Sequence, residues 1–427
     1  MHRGGAGSRC ERSLPPPHLR ARLQPRPNPW HKGLQRQRQS SRPLARSLYI
    51  HWPFCLAKCP YCDFNSHVRA GIDIAAWREA LIADLRVEKN AVGASAPLES
   101  IFFGGGTPSL MPPALVEDLL AEAERLWGFD PNIEITLEAN PSSVEADNFR
   151  DIATAGVNRV SLGVQSLRDE ALRFLGRLHG ADEAREAVDT AQSVFDRVSI
   201  DLIYARPGQT EAEWERELAE ALAIGTDHLS LYQLTIEQAT RFATDVRRGV
   251  FVPLDDDNAA DLFALTRTMT SASGIPAYEV SNHARPGQES RHNLTYWRYN
   301  DYVGIGPGAH GRRGGVATAR HKKPENYLSA VRDKGHGIVE ETTLGAREMA
   351  SEALLMGLRL HEGVCLDHLS ARFGLSREAL IDDEKIRLYS SLGLISEIGS
   401  RLTVTEVGMP LLDALLGELV ARDLVEG

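Results

Sequence analysis

Three thiols fall within eight residues, Cys55-Leu-Ala-Lys-Cys59-Pro-Tyr-Cys62, directly after the apolar run Leu48-Tyr-Ile-His-Trp-Pro-Phe54. Thiolates crowded this closely repel or oxidise unless a metal holds them. A closed zinc site takes four ligands, and four cysteines fill every corner of an iron–sulfur cube. Three leave one iron open to a substrate or cofactor, so the count points to chemistry rather than scaffolding. A structural zinc completed by His51, Asp63 or His67 is the competing reading. The other cysteines, Cys10 and Cys365, lie far off in sequence, and Cys365, between Val364 and Leu366, reads as a buried structural thiol.

The elements that must position these thiols follow from hydrophobic period. Strands are expected at Leu48–His51, Ser100–Phe103, Ile133–Leu137, Arg159–Gly163, Ser199–Ile203 and His228–Leu234. Between them, Ile74, Trp77, Leu81 and Leu85 share one helix face. Leu115, Leu119, Ala123 and Leu126 share another, behind a Pro112-Pro113 start suited to a first turn. Glu211–Ala223 and Ala181–Phe195 read likewise. Six strand–helix units imply an α/β fold with a parallel sheet and right-handed crossovers, either open and doubly wound or a partial (β/α) barrel. Polar residues gather at the strand ends: the cysteines, Gly104-Gly-Gly-Thr-Pro108, Glu138, Gln165, Asp201 and Gln233. In α/β barrels that rim is the catalytic face, which places the cysteines in an active site.

Residues 235–335 read as less regular. They hold Arg291-His-Asn-Leu-Thr-Tyr-Trp297 and Tyr302-Val-Gly-Ile-Gly-Pro-Gly-Ala-His310, whose glycines lack the spacing of a dinucleotide fingerprint. From about Leu344 the chain is helical again, and Ser391–Val404 reads as a helix end and a two-stranded wing. The expected division is a basic extension (1–46), a partial barrel (47–240), a barrel extension (241–335) and a winged-helix-like domain (336–427).

The 427 residues carry a net charge of −10, yet residues 1–46 alone hold ten Arg, one Lys and one acid, Glu11, leaving −20 for the rest. That Arg- and Pro-rich segment is expected to be disordered, an ordinary extension rather than a nucleic-acid arm or transit peptide. Residues 345–427 have eight Lys/Arg against fourteen Asp/Glu, so the wing lacks the basic footprint of a nucleic-acid binder. No run of 18 apolar residues occurs, and five cysteines fit a reducing cytosol, so a cytoplasmic protein with at most peripheral membrane contact is expected.

Tyr49-Ile-His-Trp-Pro-Phe-Cys55 running into Cys59-Pro-Tyr-Cys62-Asp-Phe-Asn resembles the radical S-adenosylmethionine (SAM) superfamily. With Gly104–Pro108, Leu137-Glu-Ala-Asn-Pro141, Gly163-Val-Gln-Ser166, Asp201-Leu-Ile-Tyr204 and the final domain, it is most similar to the branch of oxygen-independent coproporphyrinogen III oxidases and HemW-type haem chaperones. The resemblance runs from about Ser47 to the C-terminus. It implies that Cys55, Cys59 and Cys62 bind three irons of a [4Fe–4S] cluster, with SAM on the fourth. It also implies that Tyr49, Gly105, Gly106, Thr107, Glu138, Gln165, Arg177 and Asp201 contact SAM, with Tyr61 an aromatic position between cysteines.

The residue types suit that role. Glycines let backbone approach closely, Glu138 can accept from ribose hydroxyls or an ammonium, and Arg177 can hold a carboxylate. Competing readings stay open: a tight turn for the glycines, a paired core carboxylate for Asp201, and a solvated helix residue for Arg177.

Oxidases of this branch carry a fourth cysteine two residues after the third; here that residue is Phe64. Instead, His292, Asn293, Tyr296 and Trp297 form a His-Asn-x-x-Tyr-Trp motif that resembles the haem-binding motif of the chaperones. The imidazole could meet haem iron and the aromatic faces a porphyrin, with His310 and His51 as competing ligands. A histidine bonded to backbone beside a packed aromatic pair is the structural alternative. The resemblance therefore implies a chaperone that takes haem from a donor and passes it to haem-requiring proteins, with an electron donor for the cluster. The alternative is oxidative decarboxylation of coproporphyrinogen III.

Overall fold

The structure is a computed structural model that describes residues 45–69, 71–93, 96–421 and 424. The basic segment 1–46 therefore lies outside the described residues, apart from Ala45 and Arg46. Six strands pair in chain order, all parallel: β1 (Ser47–Trp52), β2 (Leu98–Gly105), β3 (Phe129–Ala139), β4 (Arg159–Gln165), β5 (Arg197–Tyr204) and β6 (His228–Gln233). Helices α1 (Ile74–Val92), α2 (Pro113–Trp127), α3 (Ala181–Val194) and α4 (Glu211–Ala223) make crossovers, as their apolar period predicts. Two short strands flank the six. Asn282–Ala284 (β7) runs antiparallel to β6, and Val303–Ile305 (β8) runs parallel to β1.

Alternation along the strands explains both faces of this sheet. Leu48, Ile50, Ile101, Phe103, Leu137, Leu162, Ile200 and Leu229 are fully buried beneath the helices. Each contributes roughly 1.5–3 kcal/mol on leaving water. The other face carries Tyr49, Phe102, Glu138, Ser161, Asp201 and Tyr232. A polar concave lumen is thus written into the period-2 pattern.

Residues 235–335 are more regular than expected. They contain α5 (Asp256–Ala272), docked on α4 through Trp214 Nε1 donating to Thr266 Oγ1 at 2.8 Å. They also contribute to an antiparallel three-stranded sheet, His310–Arg313, Val316–Arg320 and Ile338–Thr343. The glycine run forms β8 and a tight turn. A Cβ on Gly306 (φ +91°) would sit 2.3 Å from the His51 carbonyl oxygen, and one on Gly308 (φ +79°) 2.5 Å from Asn65 Nδ2. Only glycine lets this turn buttress the segment that carries the cysteines.

The same turn is tied to α1 by a buried charge network. Asp84, with no exposure, accepts from Arg320 Nε at 2.6 Å and Tyr327 Oη at 2.9 Å, while Arg320 Nη2 reaches Glu88 at 2.7 Å. Gly306 N also points to Asp84 at 3.4 Å. Removing one partner leaves a buried charge short of its counter-ion. Asp84→Ala should therefore lose about 3–5 kcal/mol, read from the urea midpoint, whereas the exposed Arg332→Ala should change little.

A second apolar core, including Leu354, Leu366, Leu380, Leu402 and Leu416, organises the C-terminal helices. Ala346–Gly357, Leu366–Phe373, Arg377–Leu380 and Asp383–Ser391 precede the antiparallel pair Ile395–Ile398 and Arg401–Val404, giving the expected helices and wing. Cys365 departs from expectation: it is half-buried at the wing, its Sγ 3.4 Å from Ser400 Oγ. Among the described residues, no helix is long and apolar enough to cross a membrane.

Candidate active site at the barrel mouth

The three cysteines leave the C-terminal end of β1 on one loop, all free and half-buried. Burial pushes the Cys55 and Cys62 thiols up. Thr107 and Ser66 partly offset this for Cys55, the Phe64 backbone and Ser66 for Cys62. Among the described residues, no three His, Cys, Asp or Glu side chains converge on a position for one metal ion. A tetrahedral zinc with Zn–S near about 2.3 Å draws its sulfurs together, whereas a cubane spreads them because each binds a different iron. The donor set, three thiols without a fourth side chain closing the site, fits the cubane.

The proposed zinc partners are otherwise engaged. His51 is buried, with Nδ1 3.0 Å from Tyr49 Oη and Nε2 2.9 Å from the Asn65 carbonyl. His67 Nε2 lies 3.2 Å from Asn65 Oδ1, and Asp63 is exposed.

The glycine loop after β2 packs directly on the segment leading to Cys55. Gly106 N donates to Trp52 O at 2.7 Å and Thr107 N to Phe54 O at 2.8 Å. A Cβ on Gly105 (φ +114°) would strike the His51 ring at 2.5 Å, and one on Gly106 the Phe54 carbonyl at 2.7 Å. The tight-turn reading of these glycines therefore holds whatever else they touch.

Beside this loop sit two carboxylates. Burial, then the neighbouring Asp201 charge, pushes Glu138 up to about 7, although it accepts from Gly105 N at 3.2 Å. Burial also raises Asp201, partly offset by the Ser230 and Ser161 hydroxyls, the latter donating at 3.0 Å. Neither makes an ion pair among the described residues. Both retain some solvent contact, as groups facing an internal hollow do. Buried acids without an ion-pair partner suit a ligand that brings positive charge or hydroxyl donors, even with Arg159 and Arg177 near enough to favour the Asp201 charge, so the residues present fit SAM.

Arg177 is not a solvated helix residue. It lies in the connection after the short helix Asp169–Phe174, where Nη2 donates to Asn140 Oδ1 at 2.5 Å and Gly163 O at 2.9 Å. Nη1 is 3.5 Å from both Cys59 Sγ and Tyr61 Oη, so this one guanidinium links the cysteine loop to β4. Gln165 holds φ +66°, a strained conformation for a non-glycine residue, beside a register shift in β4.

The His-Asn-x-x-Tyr-Trp segment forms a short helix, α6 (Arg291–Trp297), at the other end of the barrel. His292 is 1 % exposed, with Nδ1 3.0 Å from Ser100 Oγ and Nε2 2.7 Å from Tyr296 Oη, and it stacks on Phe102. Burial pushes its imidazole down to about 3. Neither nitrogen is open to an iron in this arrangement. From Ser100 to the mouth at Gly105 is about 16 Å of parallel strand, so the motif and the cysteines are not brought together. Tyr296 faces Tyr302 edge-on at 4.6 Å, Asn293 N is bonded to Ser290 Oγ at 3.3 Å, and Trp297 is half-buried. His310 is exposed on the antiparallel sheet.

Several residues at the site were given no role in the sequence, although Asn65, Asn140 and Gly163 lie within the motifs quoted there. Asn140 and Gly163 anchor Arg177, Asn65 anchors the cysteine loop by donating to Pro307 O at 2.8 Å, and Phe102 and Tyr232 line the hollow. Alternation along β2 and β6 was the available signal for the last two. Asn65 carried none for this role, because the carbonyls its amide donates to, those of Pro307 and Lys322, lie over 240 residues away.

Comparison with known proteins agrees with this geometry. The radical SAM superfamily model matches residues 49–221, and the HemN C-terminal domain model matches residues 344–411. The haem chaperone HemW of Haemophilus influenzae is 38% identical over 87% of this chain and 96% of its own length. The mitochondrial radical S-adenosyl methionine domain-containing protein 1 of Bos taurus is 37% identical over 88% of this chain and 87% of its own. The coproporphyrinogen III oxidase HemN of Escherichia coli, a radical SAM enzyme, superposes with a TM-score of 0.73 at 21% identity, covering 88% of this chain and 90% of that one, which shows a shared fold.

Proposed function

The chain belongs to the radical SAM superfamily, in the family of the HemW haem chaperones, and from that premise we propose that it binds haem and delivers it to haem-requiring acceptor proteins. Membership implies a [4Fe–4S] cluster and SAM, which together supply one-electron chemistry when bound. Cys55, Cys59 and Cys62 would hold three irons. Tyr49, Tyr61, Gly105, Gly106, Thr107, Glu138, Gln165, Arg177 and Asp201 would shape the SAM site around the fourth. The four-part division with boundaries near 46, 240 and 335 serves this reading, as does a cytoplasmic location where thiols stay reduced.

Phe64 carries the choice of chaperone over oxidase. It is 63% exposed and stands where the oxidases have a fourth cysteine, so it offers no sulfur. His292, Asn293, Tyr296 and Trp297 enter the function as the floor of the hollow. Direct iron ligation by His292 would first require its bond to Tyr296 to open.

The test is a haem titration of anaerobically reconstituted protein, read at the Soret band, beside an assay with coproporphyrinogen III, SAM and reductant. Stoichiometric haem binding without protoporphyrinogen formation is expected. Turnover to protoporphyrinogen and CO2 would favour the oxidase reading instead.

A further inference from the structure

A cavity of about 770 Å³ opens at the barrel mouth between the cysteine loop, the helix Asp169–Phe174 and the segment from Ala239 to Phe251. That volume lies within the range of small-molecule sites. Its apolar side is an aromatic group. Phe174 and Phe242 stack with ring centres 4.8 Å apart, and Phe251 meets them edge-on at 5.3 and 5.1 Å. Its polar side is cationic, with exposed Lys58, Arg173 and Arg241 against one carboxylate, Asp245, which is 3.4 Å from Arg241. Lys58 and Arg173 have no ion-pair partner among the described residues. Three cations around one hollow stand out in a chain whose net charge is −20 beyond residue 46.

Phe242 is buried behind this wall, which leaves half-buried Phe174 and Phe251 and exposed Val250 as the apolar surface of the cavity, and such a surface beside cations selects a hydrophobic ligand that carries carboxylates. We propose that this cavity is the seat for a tetrapyrrole bearing propionates. The assignment rests on the haem reading above and moves the cargo from the buried motif at the barrel floor to the mouth.

Phe174, Phe251 and Val250 lie against the ring, and Arg173, Arg241 and Lys58 pair with the propionates. Apart from Cys59 and Cys62, which the cluster claims, no His, Met or Tyr, the other usual ligands of haem iron, lines the cavity. Recognition is therefore by ring and carboxylates, and such a cargo leaves without breaking an iron–protein bond, as transfer to an acceptor requires. The seat is also tied to the cluster loop, because Phe242 N donates to Pro60 O at 2.9 Å and Cys59, Pro60 and Cys62 form one wall.

The experiment uses full-length, anaerobically reconstituted protein with three probes: haem, metal-free protoporphyrin IX and haem dimethyl ester. Arg173→Glu/Arg241→Glu should weaken haem and protoporphyrin binding about ten-fold or more, through loss of two charge-assisted contacts, and leave the ester within about two-fold. Arg173→Lys/Arg241→Lys should retain most of the affinity. Unchanged cluster absorption would show that the exposed substitutions leave the fold intact. If wild type binds haem and the charge-reversed protein binds it equally well, the seat is elsewhere and this assignment fails while the chaperone reading stands. If wild type binds no haem, both fail.

Discussion

Replacing any one of Cys55, Cys59 and Cys62 by alanine is expected to bring cluster iron and sulfide to background after anaerobic reconstitution, with loss of the visible absorption. The chain should stay folded. Each thiol is half-buried on a loop outside the main core, so truncation removes few apolar contacts and costs on the order of 1 kcal/mol. Because the loop supplies only three thiols, a cubane that has already given one iron to a cofactor has no spare ligand. Iron and sulfide analysis, with thermal unfolding of the metal-free variants, separates ligand loss from misfolding. A Phe64→Cys protein should keep its cluster, since it only adds a thiol. Full cubane stoichiometry in a Cys59→Ala protein would overturn the ligand assignment.

The second large effect concerns Glu138. In the folded, ligand-free chain its carboxyl is pushed from the usual 4.5 up to about 7, first by burial and then by Asp201. The neutral form is thus favoured by folding. That stabilisation is complete below pH 4.5 and disappears as pH rises through 7, on the order of 3 kcal/mol in all. A ligand presenting positive charge or hydroxyl donors favours the ionised form. SAM affinity should consequently rise about ten-fold per unit as pH climbs toward 7, then level off, with a proton released on binding below pH 7.

Calorimetry in two buffers of different ionisation enthalpy measures that proton. Glu138→Gln should flatten the profile and weaken binding throughout. Asp201→Asn should bring the midpoint to lower pH, because it removes the neighbouring charge. A pH-independent affinity in the wild-type protein would count against Glu138 as a SAM contact.

Much of the barrel was legible in sequence because its signals are local. The strand at Arg159 and the helices starting at Ile74, Ala181 and Glu211 follow from period and capping within a few residues, and Thr210 closes a capping box with Glu213. Helix α5 was missed. Its first turn is acidic and its buried residues include Thr266, Arg267 and Thr270, so no apolar stripe announces it. The glycine run at 304–308 was discounted as a nucleotide loop, but its actual role, supporting the cysteine loop, depends on His51 and Asn65 meeting it in space.

The sequence by itself determined the cysteine spacing, the six strand–helix units and the order of polar residues along the rim, since backbone period and ligand count are properties of short stretches. Only the tertiary structure decided that Arg177 joins the cysteine loop to β4, that Glu138 and Asp201 share one hollow, and that His292 is sealed at the opposite end with both nitrogens engaged. Burial and proximity set those outcomes. They arise from packing between segments tens to hundreds of residues apart, which no local pattern encodes.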